Sequence, residues 1–180
     1  MDEPIIVAID IGTTKICTLV AREETPGQMR ILGAGIEPSQ GIRKGVVVDM
    51  VAASEALVRS VEKAEHTSGL EIATALVSLA GSHVSSVNSH GVVGVSGRTI
   101  DEDDMERAVD AARAVAIPHN REVIHIIQRG FSIDGQEGVR KPLGMHGYRL
   151  EVETHIITAS AASVENLRQC VGAAGVEVSQ

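Results

Sequence analysis

The residues with the clearest potential for chemistry lie where the first apolar run of the chain ends. Asp10 sits near that end, and Gly12, Thr13, Thr14 and Lys15 follow it closely. Glycine lets a backbone approach a ligand, and successive amide groups in a tight bend form a concavity that binds anions. The lysine adds a point charge suited to phosphate, and the carboxylate can face a hydrated Mg²⁺, which gives up its waters reluctantly. The spacing predicts a phosphate-binding loop beside a magnesium-facing acid.

The same loop also fits a plain β-hairpin turn. The segment 16–21 has the character of a second strand, and the intervening Gly-Thr-Thr-Lys suits a turn. Short glycine motifs often match by chance. The loop alone therefore leaves two alternatives open, a phosphate site and an ordinary turn.

Composition limits the class of protein. The chain has 180 residues and a formal net charge of −8, which argues against a general nucleic-acid binder with a basic stripe. With one Phe, one Tyr and no Trp, it lacks an aromatic platform for stacking single-stranded nucleic acid. No apolar run reaches the roughly 18 residues of a membrane span, and the first residues lack the basic start of a signal peptide. We expect a soluble protein with no nucleic-acid partner.

Other reactive residue types favour structural roles. Cys17 and Cys170 fit no metal spacing and are interpreted as core thiols in a reducing compartment. The seven histidines show no i, i+4 pair of the kind found in helical zinc sites. The acidic segment 101–104 is explained by helix capping, and Ser160 and Ser163 are interpreted as caps of a later helix. We predict no metal site among these groups.

Strands and one helix are predicted in the first part of the chain, with Asp49 as the cap of the helix and Gly69 at its end. Antiparallel hairpins followed by a helix and a further strand are typical of an α/β layer. The unbroken apolar run at the start predicts a first strand that is covered on both faces. The predicted strands are 5–11, 16–21, 30–38, 46–48 and 73–80, and the helix is 50–66.

The pattern changes after this strand, to strand, helix, strand, strand. A capping box formed by Thr99 and Glu102 is expected to start the helix, whose buried face includes Val115 and which Pro118 ends. The glycine-rich segment 135–147 is interpreted as a mobile hairpin loop in a protein-contact surface. The remaining predicted elements are strands 84–97, 122–134, 148–158 and 176–178 and a helix at 162–173.

Motifs along nearly all of the chain resemble the FtsA family of bacterial cell-division proteins, within the actin-like ATPase superfamily. The first motif alone would also fit sugar kinases and Hsp70-type chaperones, whereas the later ones are more specific because they fall in the family's own subdomain. The matching segments are 9–15, 41–45 with Asp49, 79–83 with Asn88, 124–127, 133–138, 142–147 and 155–158.

This resemblance implies an α/β fold with a partial actin-like (ribonuclease H-like) subdomain 1A. It places the first part of 1A, with the phosphate loop, at residues 1–83. An inserted strand-helix-strand-strand (SHS2) subdomain 1C follows at 84–160, and the chain returns to 1A at 161–180.

The resemblance also implies ligands and partners. Asp10 would face Mg²⁺ through water, and Gly12, Thr13, Thr14 and Lys15 would line the β- and γ-phosphates of ATP. The family polymerises like actin at the inner face of the cell membrane and tethers the FtsZ ring at the division site. Contacts with other FtsA subunits are expected through 1A and 1C, and with other division proteins through 1C.

Some parts of the family pattern do not appear in this sequence. These are the second phosphate loop, the glycines that contact adenosine and the C-terminal amphipathic membrane helix; Asp134-Gly135-Gln136 is not a credible second loop. We expect about half of a nucleotide site, weak or undetectable ATP affinity, no activity in this chain and at most a weak ATPase in the full-length protein. Apolar surface is expected on the 1A sheet.

Two other functions are considered beside this one. The first is a sugar-kinase-like phosphotransferase of the same superfamily, which would need a general base to activate a substrate hydroxyl. The second is a partner-binding module in which the inserted unit binds and the nucleotide half is inert.

Overall fold

A computed structural model describes residues 4–96, 99–114 and 117–180. The chain divides into two compact units. Unit 1 runs to Val84 and resumes over Ser160–Gln180, and unit 2 is Ser85–Ala159. The assignment of these units to subdomains 1A and 1C stays a prediction.

Helices and strands follow the order expected from the sequence, with the short strands Ile42–Arg43 and Gln136–Val139 as additions. In chain order the elements are β1 Ile5–Ile11, β2 Lys15–Thr25, β3 Gln28–Pro38, β4 Ile42–Arg43, β5 Val46–Val47, α1 Met50–Ser68, β6 Thr74–Val77, β7 Ser85–Gly94, α2 Glu102–Arg113, β8 Arg121–Ile133, β9 Gln136–Val139, β10 Arg149–Ser160, α3 Ala161–Ala173 and β11 Glu177–Val178.

Unit 1 is built on a five-stranded mixed sheet in the order β11-β6-β1-β2-β3. Strand β2 is antiparallel to β1 and to β3, whereas β6 runs parallel to β1 and to β11. Helices α1 and α3 cover one face of the sheet, because their buried side chains share a single core with those of the central strands. The strand residues of this core include Ile9, Ile11, Ile16 and Val20, and the helical ones include Leu57, Val61, Leu167 and Val171.

Helix α1 begins and ends where its capping residues predict. The Asp49 carboxylate accepts hydrogen bonds from the amides of Val51 and Ala52, both at 3.1 Å. Gly69 adopts a left-handed φ of 71°, and its amide donates to the Glu65 carbonyl at 2.8 Å. These bonds satisfy amide and carbonyl groups that a helix end otherwise leaves without partners.

The same helix lies unusually close to β3. A Cβ atom at Gly35 would overlap the carbonyl oxygen of Ser60 in α1, so only glycine fits there. The Ser60 hydroxyl donates to the Gly35 carbonyl at 2.9 Å and lies 2.9 Å from the hydroxyl oxygen of Thr18 in β2. Ser60 and Thr18 are fully buried. This buried polar group fixes the helix against the strands that follow the candidate phosphate loop.

The opposite face of the sheet is open among the described residues. Ile31, Ile36 and Leu76 are 63%, 55% and 40% exposed, which confirms the expected apolar surface on this sheet. The prediction that the first strand is covered on both faces is wrong. Ile6 and Ala8 lie on the open face and are only half-buried, because both helices pack on the face that carries Val7 and Ile9.

Unit 2 is a four-stranded sheet in the order β7-β10-β8-β9 with α2 packed on it. A Cβ at Gly91 in β7 would overlap the carbonyl oxygen of Ala108, so the helix and the strand are in backbone contact. The Ser89 hydroxyl donates to the Ala112 carbonyl at 2.8 Å. The hydrophobic core of unit 2 includes Ile100, Ala108, Phe131, Ile133, Leu150 and Val152.

Two predictions for unit 2 need correction. The cap of α2 is not Thr99 with Glu102 but Asp101 with Asp104. The carboxylate of each aspartate accepts a hydrogen bond from the backbone amide of the other. The segment after residue 134 is not all loop, since β9 pairs with β8. Gly97 and Val115, which the sequence predicts to lie in the strand and on the helix face, fall outside the described residues.

The cysteines differ in burial. Cys170 is buried, with its sulfur 3.8 Å from that of Met50, whereas Cys17 is half-buried, and both are free thiols. The prediction of core thiols therefore holds fully for Cys170 only. Within the described ranges, no helix combines the length and the apolar character needed to cross a membrane.

Candidate functional site

The predicted site lies at one edge of the unit 1 sheet. Strands β1 and β6 are parallel neighbours, so their carboxyl ends share this edge. The chain leaves β1 toward β2 on one side, and β6 lies on the other. Ligands of open α/β sheets bind outside the carboxyl ends of strands at such a switch point. Asp10 and the loop after it are therefore placed where a ligand site is expected from topology alone.

The loop itself is a tight hairpin turn. The Gly12 amide donates to the Lys15 carbonyl at 3.0 Å, and β1 and β2 pair from Ile11 and Ile16 onward. The Ser39 amide donates to the Thr14 carbonyl at 3.0 Å, which ties the turn to the end of β3. The plain-turn alternative is thus correct for the backbone. It does not exclude anion binding, because only some of the polar groups of the turn are used.

The groups left over can bind an anion. Thr13, Thr14 and Lys15 are all exposed. Among the described residues, the amides of Thr13 and Thr14 have no acceptor and Lys15 forms no ion pair. The expectation that Gly12 also directs its amide at the ligand needs correction, since that amide is used within the turn. The amides and hydroxyls of Thr13 and Thr14 and the ammonium group of Lys15 therefore remain available to a ligand.

Asp10 is held by a residue that the sequence reasoning missed. The Ser78 hydroxyl, directly after β6, donates to Asp10 Oδ1 at 2.6 Å and accepts from the Ile11 amide at 3.2 Å. Asp10 is exposed, so its carboxylate faces solvent at the sheet edge. No distinct signal in the sequence indicates this role, since Ser78 lies inside the predicted strand 73–80, and only the pairing of β6 with β1 shows that it reaches Asp10.

The set of groups fits a phosphate with a divalent cation better than a phosphate alone. A carboxylate close to the loop would repel a phosphate, whereas a cation between them is attracted by both. Carboxylate and phosphate oxygens with retained waters are the ligands that Mg²⁺ prefers. Asp10, Thr13, Thr14 and Lys15 are thus compatible with the predicted ligand.

The acidic segment of unit 2 is accounted for by structure. Asp101 caps α2, and the fully buried Asp104 is ion-paired with Arg107, which also contacts Asp103 at 3.2 Å. The carboxylates of Asp101, Asp103 and Asp104 lie within 4.8 Å of one another. Their helix-capping hydrogen bonds and the arginine explain this proximity without a metal.

Other residues singled out in the sequence also have structural roles. Asp134 and Gly135 form the turn between β8 and β9 with φ of 50° and 86°, a pattern typical of tight hairpins. The Asp134 carboxylate accepts from the amides of Tyr148 and Arg149 at 3.1 and 2.8 Å, so it does not form a second phosphate loop. His155 bonds Asn88, with Nδ1 and Oδ1 at 2.7 Å.

Comparison with known proteins first defines the class. The family model described as "SHS2 domain inserted in FTSA" matches residues 81–158. A solved structure of the PilM-PilN type IV pilus biogenesis complex covers 99% of this chain, with a TM-score of 0.64 at 14% identity, and the match spans 47% of that chain. The protein has a mixed α/β fold of the actin-like type with an SHS2 domain.

Curated relatives give a more specific similarity. Cell division protein FtsA of Pseudomonas aeruginosa is 42% identical over 173 residues, that of Borreliella burgdorferi is 43% identical over 182, and that of Escherichia coli is 31% identical over 179. These alignments cover 96%, 100% and 99% of this chain and 42%, 44% and 43% of the relatives. The chain is similar to FtsA proteins over nearly all of its own length and spans less than half the length of these relatives.

Proposed function

We propose that this chain is the part of an FtsA-type cell-division protein that binds the phosphates of Mg·ATP. One observation carries the proposal. The exposed groups of Thr13, Thr14 and Lys15 lie in the turn after β1, with Asp10 beside them at the carboxyl ends of two parallel strands. Asp10 would face the magnesium through water, and the loop would hold the β- and γ-phosphates. Bound Mg²⁺ would neutralise charge between the carboxylate and the phosphates.

In this proposal ATP is mainly a structural ligand. The full-length protein polymerises like actin at the inner face of the cell membrane and tethers the FtsZ ring at the division site. Units 1 and 2 take the places of subdomains 1A and 1C, which contact other FtsA subunits, and 1C contacts other division proteins. Hydrolysis, where it occurs, is slow. The similarity to FtsA proteins over nearly the whole chain disfavours the sugar-kinase alternative.

Nucleotide binding is tested with matched lysine variants. Lys15→Ala removes the ammonium group of the loop, and Lys141→Ala removes an exposed lysine in unit 2. Ligand-observed NMR titration with Mg·ATP reaches the millimolar dissociation constants expected for half of a site. We expect Lys15→Ala to weaken binding about tenfold, as for the loss of one charge-assisted contact of ~1.4 kcal/mol. Equal affinities for the two variants would contradict the assignment of the loop.

The cellular role needs a different assay. Co-sedimentation of the full-length gene product with FtsZ polymers, in the presence of phospholipid vesicles, measures tethering directly. We expect FtsZ to pellet with the vesicles only when the protein is present. Failure of FtsZ to do so, while the chain still binds another division protein, would favour the partner-binding module.

A further inference from the structure

We propose that Ser78 is a positioning residue that makes the nucleotide site prefer Mg²⁺ over Ca²⁺, by holding one oxygen of the Asp10 carboxylate. The inference rests on the proposed nucleotide-binding function. It concerns the contact between Ser78 and Asp10, two residues 68 positions apart in sequence that β1 and β6 bring together.

The direction of the two hydrogen bonds at Ser78 is fixed by chemistry. An ionised carboxylate can only accept and a backbone amide can only donate. The Ser78 hydroxyl must therefore give its proton to Asp10 Oδ1, at 2.6 Å, and offer a lone pair to the Ile11 amide, at 3.2 Å. The hydroxyl cannot rotate away without losing both bonds. It consequently orients the carboxylate instead of merely touching it.

The orientation leaves the two carboxylate oxygens unequal. Oδ1 is engaged by Ser78, whereas Oδ2 forms no hydrogen bond with any residue in the ranges 4–96, 99–114 and 117–180. A cation that uses one oxygen, directly or through water, can bind without disturbing the Ser78 contact. A cation that chelates both oxygens must compete with that contact.

This inequality discriminates between the two common divalent ions. Mg²⁺ demands an octahedral shell and keeps several waters, so it suits a carboxylate that presents a single oxygen. Ca²⁺ takes six to eight oxygen ligands and often binds carboxylates in the bidentate mode. Removal of the Ser78 hydroxyl frees Oδ1 and lets the carboxylate rotate. The loss should therefore weaken the effect of Mg²⁺ and spare or strengthen that of Ca²⁺.

The backbone at Ser78 does not depend on its side chain. The Ser78 amide donates to the Ile9 carbonyl at 2.9 Å, which extends the pairing of β6 with β1 beyond the strand end. The side chain itself is exposed. Substitution is consequently expected to leave the fold intact, so that a change in cation preference reports on the carboxylate.

The experiment compares Ser78→Ala with Ser78→Thr, which keeps the hydroxyl, and with Asp10→Asn. Each protein is titrated with ATP in Mg²⁺, in Ca²⁺ and in EDTA, and the amide NMR shifts of residues 12–15 give the affinity. We expect the ratio of Mg²⁺-supported to Ca²⁺-supported affinity to fall about three- to tenfold in Ser78→Ala, the range for one hydrogen bond. Affinity in EDTA should not change, Ser78→Thr should restore the ratio, and Asp10→Asn should lose the benefit of both ions.

The outcomes separate this inference from the function on which it rests. If the unmodified chain binds Mg·ATP at residues 12–15 and Ser78→Ala shows the same ratio of Mg²⁺ to Ca²⁺ affinities, the inference is wrong and the function stands. If Ser78→Ala also loses affinity in EDTA, Ser78 shapes the loop and not the carboxylate, which overturns the inference too. If neither the unmodified chain nor the full-length gene product shows a shift at these residues in any condition, both proposals fail.

Discussion

Removal of the Ser60 hydroxyl should destabilise unit 1 much more than removal of the Ser54 hydroxyl, which lies six residues earlier in the same helix. In Ser60→Ala, the buried Thr18 hydroxyl and the Gly35 carbonyl each lose a hydrogen-bond partner at 2.9 Å. At about 1 kcal/mol net for each bond, the expected loss is about 2 kcal/mol. The melting temperature should fall by ~4 to 8 °C for a chain of this size.

Ser54→Ala is the matched control. Ser54 lies in the same helix and its hydroxyl bonds to none of the described residues, so it shares the gain in helix propensity without the loss of bonds. Calorimetry or urea titration gives both free energies of unfolding. Thr18→Val combined with Ser60→Ala should cost less than the sum of the single changes, because both polar groups are then gone. Equal stabilities of the Ser54 and Ser60 variants would refute the stabilising role of the buried Ser60 hydroxyl and its two hydrogen bonds.

Three further perturbations test other contacts. Gly91→Ala should destabilise unit 2 by ~1 to 3 kcal/mol, because its Cβ overlaps the Ala108 carbonyl, whereas Gly94→Ala in the same strand meets nothing within 4 Å and should be nearly neutral by urea titration. Asp49→Ala should cost about 1 kcal/mol through the lost α1 cap, and Asp49→Ser should recover most of it; equal stability of the two variants would show that the cap is unimportant. The Lys63 ammonium, and then the Arg59 guanidinium, lower the pKa of Glu37, so the stabilising effect of this carboxylate is present above its unfolded-state pKa and is lost as pH falls through the lower folded-state pKa. The difference in stability between the unmodified chain and Glu37→Gln should therefore shrink in acid, and a difference that is constant with pH would contradict this assignment.

Much of the fold could be predicted from local patterns. Helix α1 shows why, since an N-cap aspartate, apolar residues at helical spacing and a left-handed glycine all agree on its limits. The two errors in unit 2 have local causes. An aspartate serves at the third helical position as a glutamate does, so Asp101 with Asp104 caps α2, and the Asp134-Gly135 turn creates β9 inside a glycine-rich segment.

The candidate site was only partly predictable. The loop could be found from residue types, because a glycine, two threonines and a lysine after a strand are contiguous in sequence. Ser78 could not, because its role depends on the parallel pairing of β6 with β1, and the predicted strand 73–80 placed it inside a strand instead of after one. The exposure of the far side of the sheet likewise depends on where α1 and α3 pack.

The most direct test of the central claim is an amide NMR map of the chain titrated with Mg·ATP. The account predicts saturable shifts at Thr13, Thr14 and Lys15 and at Asp10, with a dissociation constant in the millimolar range and smaller shifts in unit 2. Shifts that cluster elsewhere, or none at these four residues in the full-length gene product at saturating nucleotide, would contradict it.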